Sequence, residues 1–316
     1  MNTSAPEATL YVVGNINIDL IMGTLYQWPA RGTEAMLEHS ALRPGGSAGN
    51  CVLALAALGT RHRAVANQGN DHFAHWLAEH FADSAPFWPR YDCETSLTVG
   101  ITHPDNERTF FSNQGHIVRL SQQDVLMQLP PQATPGDLVL LCGTFLCLHL
   151  FDDYSELLGI LQQRGFKVAV DTGWPPSGWD SQLRQRVKGW LSHCDYLLLN
   201  EVETLGLADS DDLAAAGHSL ARLLASGGAC VIKRGSQGAM ICDGLEILSC
   251  AAESVNVVDT IGAGDSFNAG FLSALLDGYN RRQALYWGTR VAGRAISSSP
   301  RQYPDRASLQ SFAGEE

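Results

Sequence analysis

The sequence predicts an α/β fold with a mainly parallel central sheet, helices on both faces and a small β-sheet lid, and two observations support it. First, short apolar runs alternate with segments of helical spacing along most of the 316 residues. Repeated strand–helix units of this kind form parallel sheets covered on both faces. Second, residues 20–43 and 95–118 interrupt the alternation with β-like segments. We expect one domain over residues 1–316, with a lid formed by these two regions inserted in it.

The predicted elements follow from apolar pattern and spacing. The short apolar runs predict strands at Leu10–Gly14, Arg63–Gln68, Asp137–Cys142, Phe166–Asp171, Asp195–Asn200 and Ala229–Arg234. Helical spacing predicts helices at Ala48–Leu58, His72–Phe81, Tyr154–Arg164, Gln182–Ser192, Ala214–Ala225, Ala263–Leu276 and Gln283–Ser297. In the lid, Thr95–His103 and Glu107–Asn113 flank a turn at Pro104–Asn106, which predicts a β-hairpin.

Composition argues against several classes of protein. The formal net charge is -12 and the 21 Lys and Arg residues are scattered, so we expect neither nucleic acid nor an anionic membrane as a partner. No apolar run reaches 18 residues and no basic region precedes an apolar core after Met1, so we expect no membrane span and no signal peptide. Since the eight cysteines contain no C-x-x-C pair, we expect free thiols and a cytoplasmic location.

The segment that decides the predicted function is Asp259-Thr260-Ile261-Gly262-Ala263-Gly264-Asp265-Ser266-Phe267. Small residues before a helix let backbone N–H groups converge at the positive end of the helix dipole, where an anion binds. Asp265 falls in the first helical turn, beside that anion, where a carboxylate can deprotonate an attacking hydroxyl. The structural alternative is an acidic residue that only caps the helix. The segment therefore predicts phosphoryl transfer, with Gly262, Ala263 and Gly264 holding the phosphate and Asp265 as the catalytic base.

This string resembles the second signature of the ribokinase-like (PfkB) carbohydrate kinase family, and other segments match the family in order along nearly the whole chain. The resemblance implies a three-layer α/β/α fold and ATP-dependent phosphorylation of a hydroxyl group on a sugar or sugar derivative, with Mg²⁺ beside the triphosphate. It also implies a homodimer that forms through exposed strands of the lid. The alternatives are a nucleoside kinase of the same fold, a kinase of phosphorylated sugars, and a non-catalytic sugar-binding sensor.

The resemblance places substrate contacts in two β segments. Gly14–Asp19 is similar to the family's strand-end segment, whose Asn and Asp contact substrate hydroxyls, and Asn17 and Asp19 match those positions. A carboxylate there can accept hydrogen bonds from two vicinal hydroxyls. Glu107–Phe110 resembles a strand of the lid, from which Arg108 either reaches a phosphate, carboxylate or hydroxyl of the substrate or faces solvent.

A third substrate segment, Pro44–Asn50, is similar to the first signature of the family. The resemblance implies that Gly45 and Gly46 let the substrate approach the backbone closely. It also implies that Asn50, one turn into the following helix, points its amide at a substrate hydroxyl.

Nucleotide and metal contacts are implied further along the chain. An Asn-x-x-Glu motif begins at Asn200 near the nucleotide, and its carboxylate, Glu203, would order the water shell of Mg²⁺. A turn similar to the family's nucleotide-binding turn contains Gly235 and Gly238. Arg234 stands where many members have Thr. Its side chain is therefore expected either to contact a phosphate or to face solvent.

The chain departs from the family pattern at two places, and a different motif competes with it at a third. Ser297–Gln302 replaces a Gly-Ala pair near a nucleotide and monovalent-cation site, which leaves a requirement for K⁺ open. Leu141–Phe145 lacks a glutamate found in ribose-specific members, which disfavours ribose. Gly45-x-Ser47-x-Gly49 formally matches a hydrolase nucleophile elbow, but Pro44 disrupts the strand that this motif requires.

Overall fold

The computed structural model describes residues 7–105 and 107–310. Its strands, numbered in chain order, are β1 (Leu10–Gly14), β2 (Asn17–Gly23), β3 (His39–Gly45), β4 (His62–Val65), β5 (Leu97–Thr102), β6 (Arg108–Ser112), β7 (Leu138–Cys142), β8 (Lys167–Asp171), β9 (Tyr196–Asn200), β10 (Ala229–Lys233), β11 (Ala239–Cys242) and β12 (Ile247–Cys250). Its helices are α1 (Ser47–Ala57), α2 (His72–Glu79), α3 (Gln122–Gln128), α4 (Leu148–Gln163), α5 (Ser181–Trp190), α6 (Glu201–Ala208), α7 (Leu213–Ala221), α8 (Ala263–Leu276), α9 (Arg281–Ala295) and α10 (Arg306–Gln310).

The main sheet has eight strands in the order β12-β11-β10-β9-β8-β7-β1-β4. The six strands from β10 to β4 run parallel, and β11 and β12 add an antiparallel hairpin at one edge. The prediction of a mainly parallel central sheet is confirmed. The parallel strands therefore end at one common edge of the sheet, the usual position of ligand sites in open α/β folds.

Buried side chains form two hydrophobic cores, one on each face of the sheet. In β1, Leu10 and Val12 join one core, whereas Tyr11 and Val13 join the other. Helices α1, α2, α8 and α9 cover the first core, and α3 to α7 cover the second. Because successive side chains of a strand point to opposite faces, a strand covered on both sides must be apolar along its whole length. This explains why the strands were recognisable as short apolar runs.

A second, four-stranded sheet has the order β3-β2-β5-β6 and forms the lid. Strand β2 pairs antiparallel with β3 and parallel with β5, and β5 pairs antiparallel with β6. The predicted hairpin and the predicted small sheet are confirmed. The predicted lid boundary at residue 20 is too late, because β2 already begins at Asn17, and β3 continues to Gly45.

Most predicted elements are present with shifted ends. The helix predicted from Tyr154 begins at Leu148, and the strand predicted to end at Gln68 ends at Val65. Helix α3 and the β11–β12 hairpin were not among the predicted elements. Within residues 7–105 and 107–310, none of the helices combines the length and the hydropathy needed to span a bilayer.

Candidate active site

Three polar side chains stand at the ends of neighbouring parallel strands. Asp171, Asn200 and Lys233 are the last residues of β8, β9 and β10, and Asn200 and Lys233 are paired in register. The start of α8 meets them, since a Cβ at Gly264 would lie 3.4 Å from Lys233 Nζ. The fold thus brings the glycine-rich loop and three strand ends to one edge of the sheet.

Asp265 lies in the first turn of α8, as predicted, and is held by a side chain from another helix. Its Oδ2 accepts a hydrogen bond of 2.9 Å from Asn50 Nδ2, on α1. Burial raises the pKa of Asp265 to about 7, and the nearby Asp171 carboxylate adds to the rise, while the bond from Asn50 and the charge of Lys233 oppose it. A carboxylate with a pKa near neutrality is suited to act as a general base.

Asn50 was predicted to point its amide at a substrate hydroxyl. In the structure this amide donates to Asp265, so the side chain orients the carboxylate. Gly262, the residue before α8, has φ 71°, and a Cβ on it would lie 2.9 Å from Asn50 and 2.8 Å from Arg301 Nη1. Position 262 therefore requires glycine, because its backbone is left-handed and its neighbours leave no room for a Cβ.

Lys233, which is partly buried, forms a polar group with the buried side chains of Asp171 and Asn268. Lys233 Nζ and Asn268 Nδ2 each donate to Asp171 Oδ2, both at 2.6 Å. Although burial lowers the pKa of Lys233, the carboxylates of Asp171 and Glu203 outweigh it and raise that pKa, so the ammonium stays charged. Lys233 was not predicted as a site residue from the sequence. Its position at the end of an apolar strand was the signal that could have identified it.

Asn200 and Glu203 begin α6 as a reciprocal capping pair. Asn200 Oδ1 accepts from the Glu203 backbone N–H at 2.8 Å, and Glu203 Oε2 accepts from the Asn200 N–H at 2.8 Å. Burial raises the pKa of Glu203, and the Asp171 carboxylate raises it further. The predicted pair thus shares a structural role, and it stands within electrostatic range of Asp171 and Lys233.

The sequence placed Asn17 and Asp19 at the end of a strand of the main sheet. In the structure they lie on the lid instead. The chain leaves β1 at Gly14, and both residues belong to β2, the first strand of the lid. Asn15 Nδ2 donates to Asn17 Oδ1 at 3.1 Å, and Asn17 Nδ2 donates to Asp19 Oδ1 at 2.9 Å. Both residues belong to the lid because β2 pairs with β3 from Asn17 onward and with β5 from Ile18 onward.

Gly45, the last residue of β3, and Gly46 after it allow close approach between the lid and its own polar residues. A Cβ at Gly45 would lie 2.2 Å from the Asp19 carboxylate, and one at Gly46 would lie 2.4 Å from the Asn15 carbonyl oxygen. The predicted reason was close approach of the substrate. The contacts give a second reason, which is room for Asp19 and Asn15.

Both arginines predicted as ligand contacts have carboxylate partners. Arg108 Nη2 lies 3.1 Å from Asp259 Oδ1, and Asp259 also pairs with Arg43 and Arg301. Arg234 Nε lies 3.3 Å from Glu201 Oε1, and Arg234 also bonds to the side chain of Gln237, so it is neither free in solvent nor unpaired.

Gly235 and Gly238 form the turn after β10, and only one of them is sterically confined. Both have positive φ, but a Cβ at Gly238 would lie 2.0 Å from the Cys250 carbonyl oxygen, whereas one at Gly235 would meet nothing within 4 Å. We expect Gly238→Ala to lower the free energy of unfolding by about 3 kcal/mol or more, from backbone strain plus overlap. Gly235→Ala, the matched control, should cost about 1–2 kcal/mol. Urea unfolding of both variants measures the difference, and equal shifts would contradict this account of the turn.

A cavity of about 610 Å³ lies apart from these residues. It is lined by Tyr11, Arg63, Phe87, Trp88, Pro89, Asp124, Met127, Gln128, Leu129 and Pro130, none of which was predicted as a site residue. Cavity size therefore does not identify the candidate site, which rests on the convergence of polar side chains around Asp265.

Residues 7–306 match the family described as pfkB family carbohydrate kinase, and the chain belongs to this family. It is 39% identical over 217 residues to a 1-phosphofructokinase of Haloferax volcanii, which covers 68% of this chain and 66% of the relative. It is 26% identical over 280 residues to a 1-phosphofructokinase of Haemophilus influenzae, with 83% of each chain covered. The match to a fructoselysine 6-kinase of Shigella flexneri, 33% identical, spans 41% of that relative's length.

Solved structures share the fold at low sequence identity. A ribokinase of Arabidopsis thaliana, complexed with ribose and ATP, matches with a TM-score of 0.79 and 20% identity over 98% of this chain and 100% of that one. A ribokinase II of E. coli, described as putative and complexed with ATP and Mg²⁺, matches with a TM-score of 0.80 and 18% identity over 96% and 98% of the two chains. These neighbours confirm the ribokinase-like three-layer fold.

Proposed function

We propose that the protein transfers the γ-phosphoryl group of ATP to a hydroxyl group of a sugar or sugar derivative, with Asp265 as the catalytic base. The observation that carries this proposal is the placement of Asp265. It follows the glycine loop directly, has a pKa raised to about 7, and is oriented by Asn50. A base of this pKa takes the hydroxyl proton as the oxygen attacks phosphorus, and the loop N–H groups face the charge that develops on the phosphoryl oxygens.

Lys233 supports the same step through its charge. Its side chain is only 13% exposed and its ammonium lies against the start of α8, so water screens the charge little, and Asp171 anchors it. We assign to it stabilisation of the phosphoryl oxygens and a moderating effect on the pKa of Asp265. The sugar is assigned to Asn17 and Asp19 on the lid, whose amide and carboxylate match a polyhydroxylated ligand.

ATP is assigned to the edge formed by Asn200, Arg234, Gly235 and Gly238. The carboxylates near this edge, Asp171 and Glu203, suit a Mg²⁺ that arrives with ATP and keeps most of its water. Glu203 is the carboxylate that would order this water shell. Its Oε2 caps α6, so its Oε1 would face the water. When bound, Mg²⁺ supplies positive charge at the phosphates. The proposal does not include K⁺. In the segment Ser297–Gln302, the guanidinium of Arg301 forms an ion pair with Asp259.

The experiment that tests the proposal is ADP release from ATP across ketoses, aldoses, sugar acids, sugar phosphates and nucleosides. Turnover with a sugar supports the proposal. Turnover with nucleosides alone would replace it with the nucleoside kinase alternative. Protection of the protein from heat by sugars, without any turnover, would replace it with the sensor.

The pH dependence of kcat/KM follows from the raised pKa of Asp265. Because the base must be ionised, we expect kcat/KM to fall about tenfold per pH unit below pH about 7 and to level off above it. Initial rates between pH 5 and 9 at low sugar concentration measure this profile. A flat profile from pH 5 to 7 would contradict the assignment of Asp265 as the base.

The single domain of residues 1–316, the cytoplasmic location and the homodimer remain proposals. Exposed aromatic side chains on the lid, Trp28, Phe110 and Phe111, support association through it. The outer strands β3 and β6 each pair with one neighbour in the described part of the chain, so each offers an edge to a second copy.

A further inference from the structure

Three arginines from distant parts of the chain converge on Asp259, just before the glycine loop. Arg43 Nη1 lies 2.6 Å and Arg301 Nη2 3.2 Å from Oδ2, and Arg108 Nη2 lies 3.1 Å from Oδ1. Arg43 and Arg108 belong to the outer strands of the lid, and Arg301 follows α9. Although burial favours the protonated acid, the hydrogen bond from Arg43 and the other guanidinium charges lower the pKa of Asp259, so this carboxylate is ionised.

The three arginines of this cluster share a single ion-pair partner among the described residues. Three guanidinium groups face one partner carboxylate, and their side chains retain only 22%, 11% and 6% of their exposure at Arg43, Arg108 and Arg301. Asp19 lies within electrostatic range of Arg43 and Arg301, and Asp265 lies within range of Arg301, but the described residues show no ion pair between either carboxylate and the cluster. Guanidinium groups that share one ion-pair partner and are largely shielded from water are suited to take up a further anion.

Several donors of the cluster also lack acceptors. The Nε atoms of Arg43, Arg108 and Arg301 and Nη2 of Arg43 are buried and have no hydrogen-bond partner among the described residues. Buried donors are nearly always paired in folded proteins, and the guanidinium fork matches the oxygens of phosphate and carboxylate. These atoms are therefore the ones that a bound oxyanion would satisfy.

The cluster lies between the assigned sugar site on the lid and the glycine loop. Arg43 is in register with Asp19, the carboxylate to which the sugar hydroxyls are assigned. Arg301 Nη1 lies beside Gly262, where the transferred phosphoryl group is assigned. We propose that the substrate is a sugar derivative that carries an anionic substituent, a phosphate or a carboxylate, and that Arg43, Arg108 and Arg301 bind this substituent. This inference rests on the proposed kinase function and specifies its substrate class.

The test compares anionic and neutral sugars with the full chain and ATP. Fructose 1-phosphate, fructose 6-phosphate and 2-dehydro-3-deoxygluconate are the anionic probes, and fructose and glucose are the neutral ones. We expect kcat/KM for at least one anionic probe to exceed that of every neutral probe by roughly 100-fold, since two or more charge-assisted hydrogen bonds are gained. Whether the phosphate or the carboxylate probe is preferred identifies the source of the anion.

Substitution of the cluster separates binding of the substituent from other roles. Arg43→Gln and Arg108→Gln should raise KM for the anionic probe roughly tenfold or more, and at least several-fold more than for a neutral probe. Arg186→Gln, an exposed arginine paired with Asp152, is the matched control. Equal losses with anionic and neutral sugars would overturn the inference, because they indicate either a lid-closing contact or binding of the transferred phosphoryl group.

The inference and the proposed function fail in different ways. A neutral sugar turned over as well as any anionic one would overturn the inference and leave the kinase function intact. No ADP release with any compound would overturn the function. In that case the anion site is tested by thermal unfolding of the wild type and Arg43→Gln with and without an anionic sugar. Protection by an anionic sugar that is lost in Arg43→Gln supports the site, and equal protection of wild type and variant overturns it.

Discussion

Asp265→Asn is expected to lower kcat about 10³-fold while changing sugar affinity by less than about threefold. The substitution keeps the size of the side chain, and its Oδ1 can still accept the hydrogen bond from Asn50, so the loop should keep its geometry. An amide cannot take the proton of the attacking hydroxyl. Initial rates of ADP release give kcat, and calorimetry with the sugar gives the affinity.

The matched control for this substitution is Asp152→Asn, because Asp152 is an exposed aspartate paired with Arg186 away from the site. It should retain wild-type rates. Loss of sugar binding in Asp265→Asn, with unchanged turnover per occupied site, would show that Asp265 holds the substrate and is not the base.

Lys233→Met is expected to lower kcat roughly 100-fold or more, since it removes a fixed charge from the start of α8. Because Lys233 opposes the rise in the pKa of Asp265, its loss should also move the midpoint of the pH profile of kcat/KM upward. Asp171 loses a buried partner, so we expect a lower free energy of unfolding, by about 3–5 kcal/mol. Lys233→Arg keeps the charge and should recover part of the stability.

Kinetics and urea unfolding measured on the same preparations separate the two effects. Lys188→Met is the control, because Lys188 lies near the end of α5 and donates to the backbone carbonyl of Ala208, the last residue of α6. A less stable Lys233→Met variant with wild-type kcat and an unshifted pH profile would mean that Lys233 serves the fold alone.

The sequence was sufficient for features that depend on neighbouring residues. Apolar runs covered on both faces located the parallel strands, and the glycines around Ala263 located the start of α8 and the position of Asp265 in its first turn. The lid boundary was placed too late because Asn17 and Asp19 are polar, although they alternate with Ile18 and Leu20 as a half-buried strand requires. Short elements such as α3 carry too few residues for their period to be recognised.

Contacts between distant segments were beyond sequence reasoning. Asn50 was identified as a functional residue, but its partner Asp265 is 215 positions away, so the role assigned to its amide was different. Arg43 and Arg301 meet at Asp259 only because the lid folds over the body and the chain returns after α9. No local spacing records a cluster of this kind, and neither residue was predicted as part of the site.

The most direct test of the kinase function is identification of the product. The wild-type protein, ATP, Mg²⁺ and the most active sugar of the panel are incubated, and the products are followed by phosphorus NMR beside Asp265→Asn. We predict equal amounts of ADP and a new phosphate ester of the sugar with the wild type, and neither with the variant. ADP with free phosphate and unmodified sugar, or an ester formed equally fast by Asp265→Asn, would contradict it.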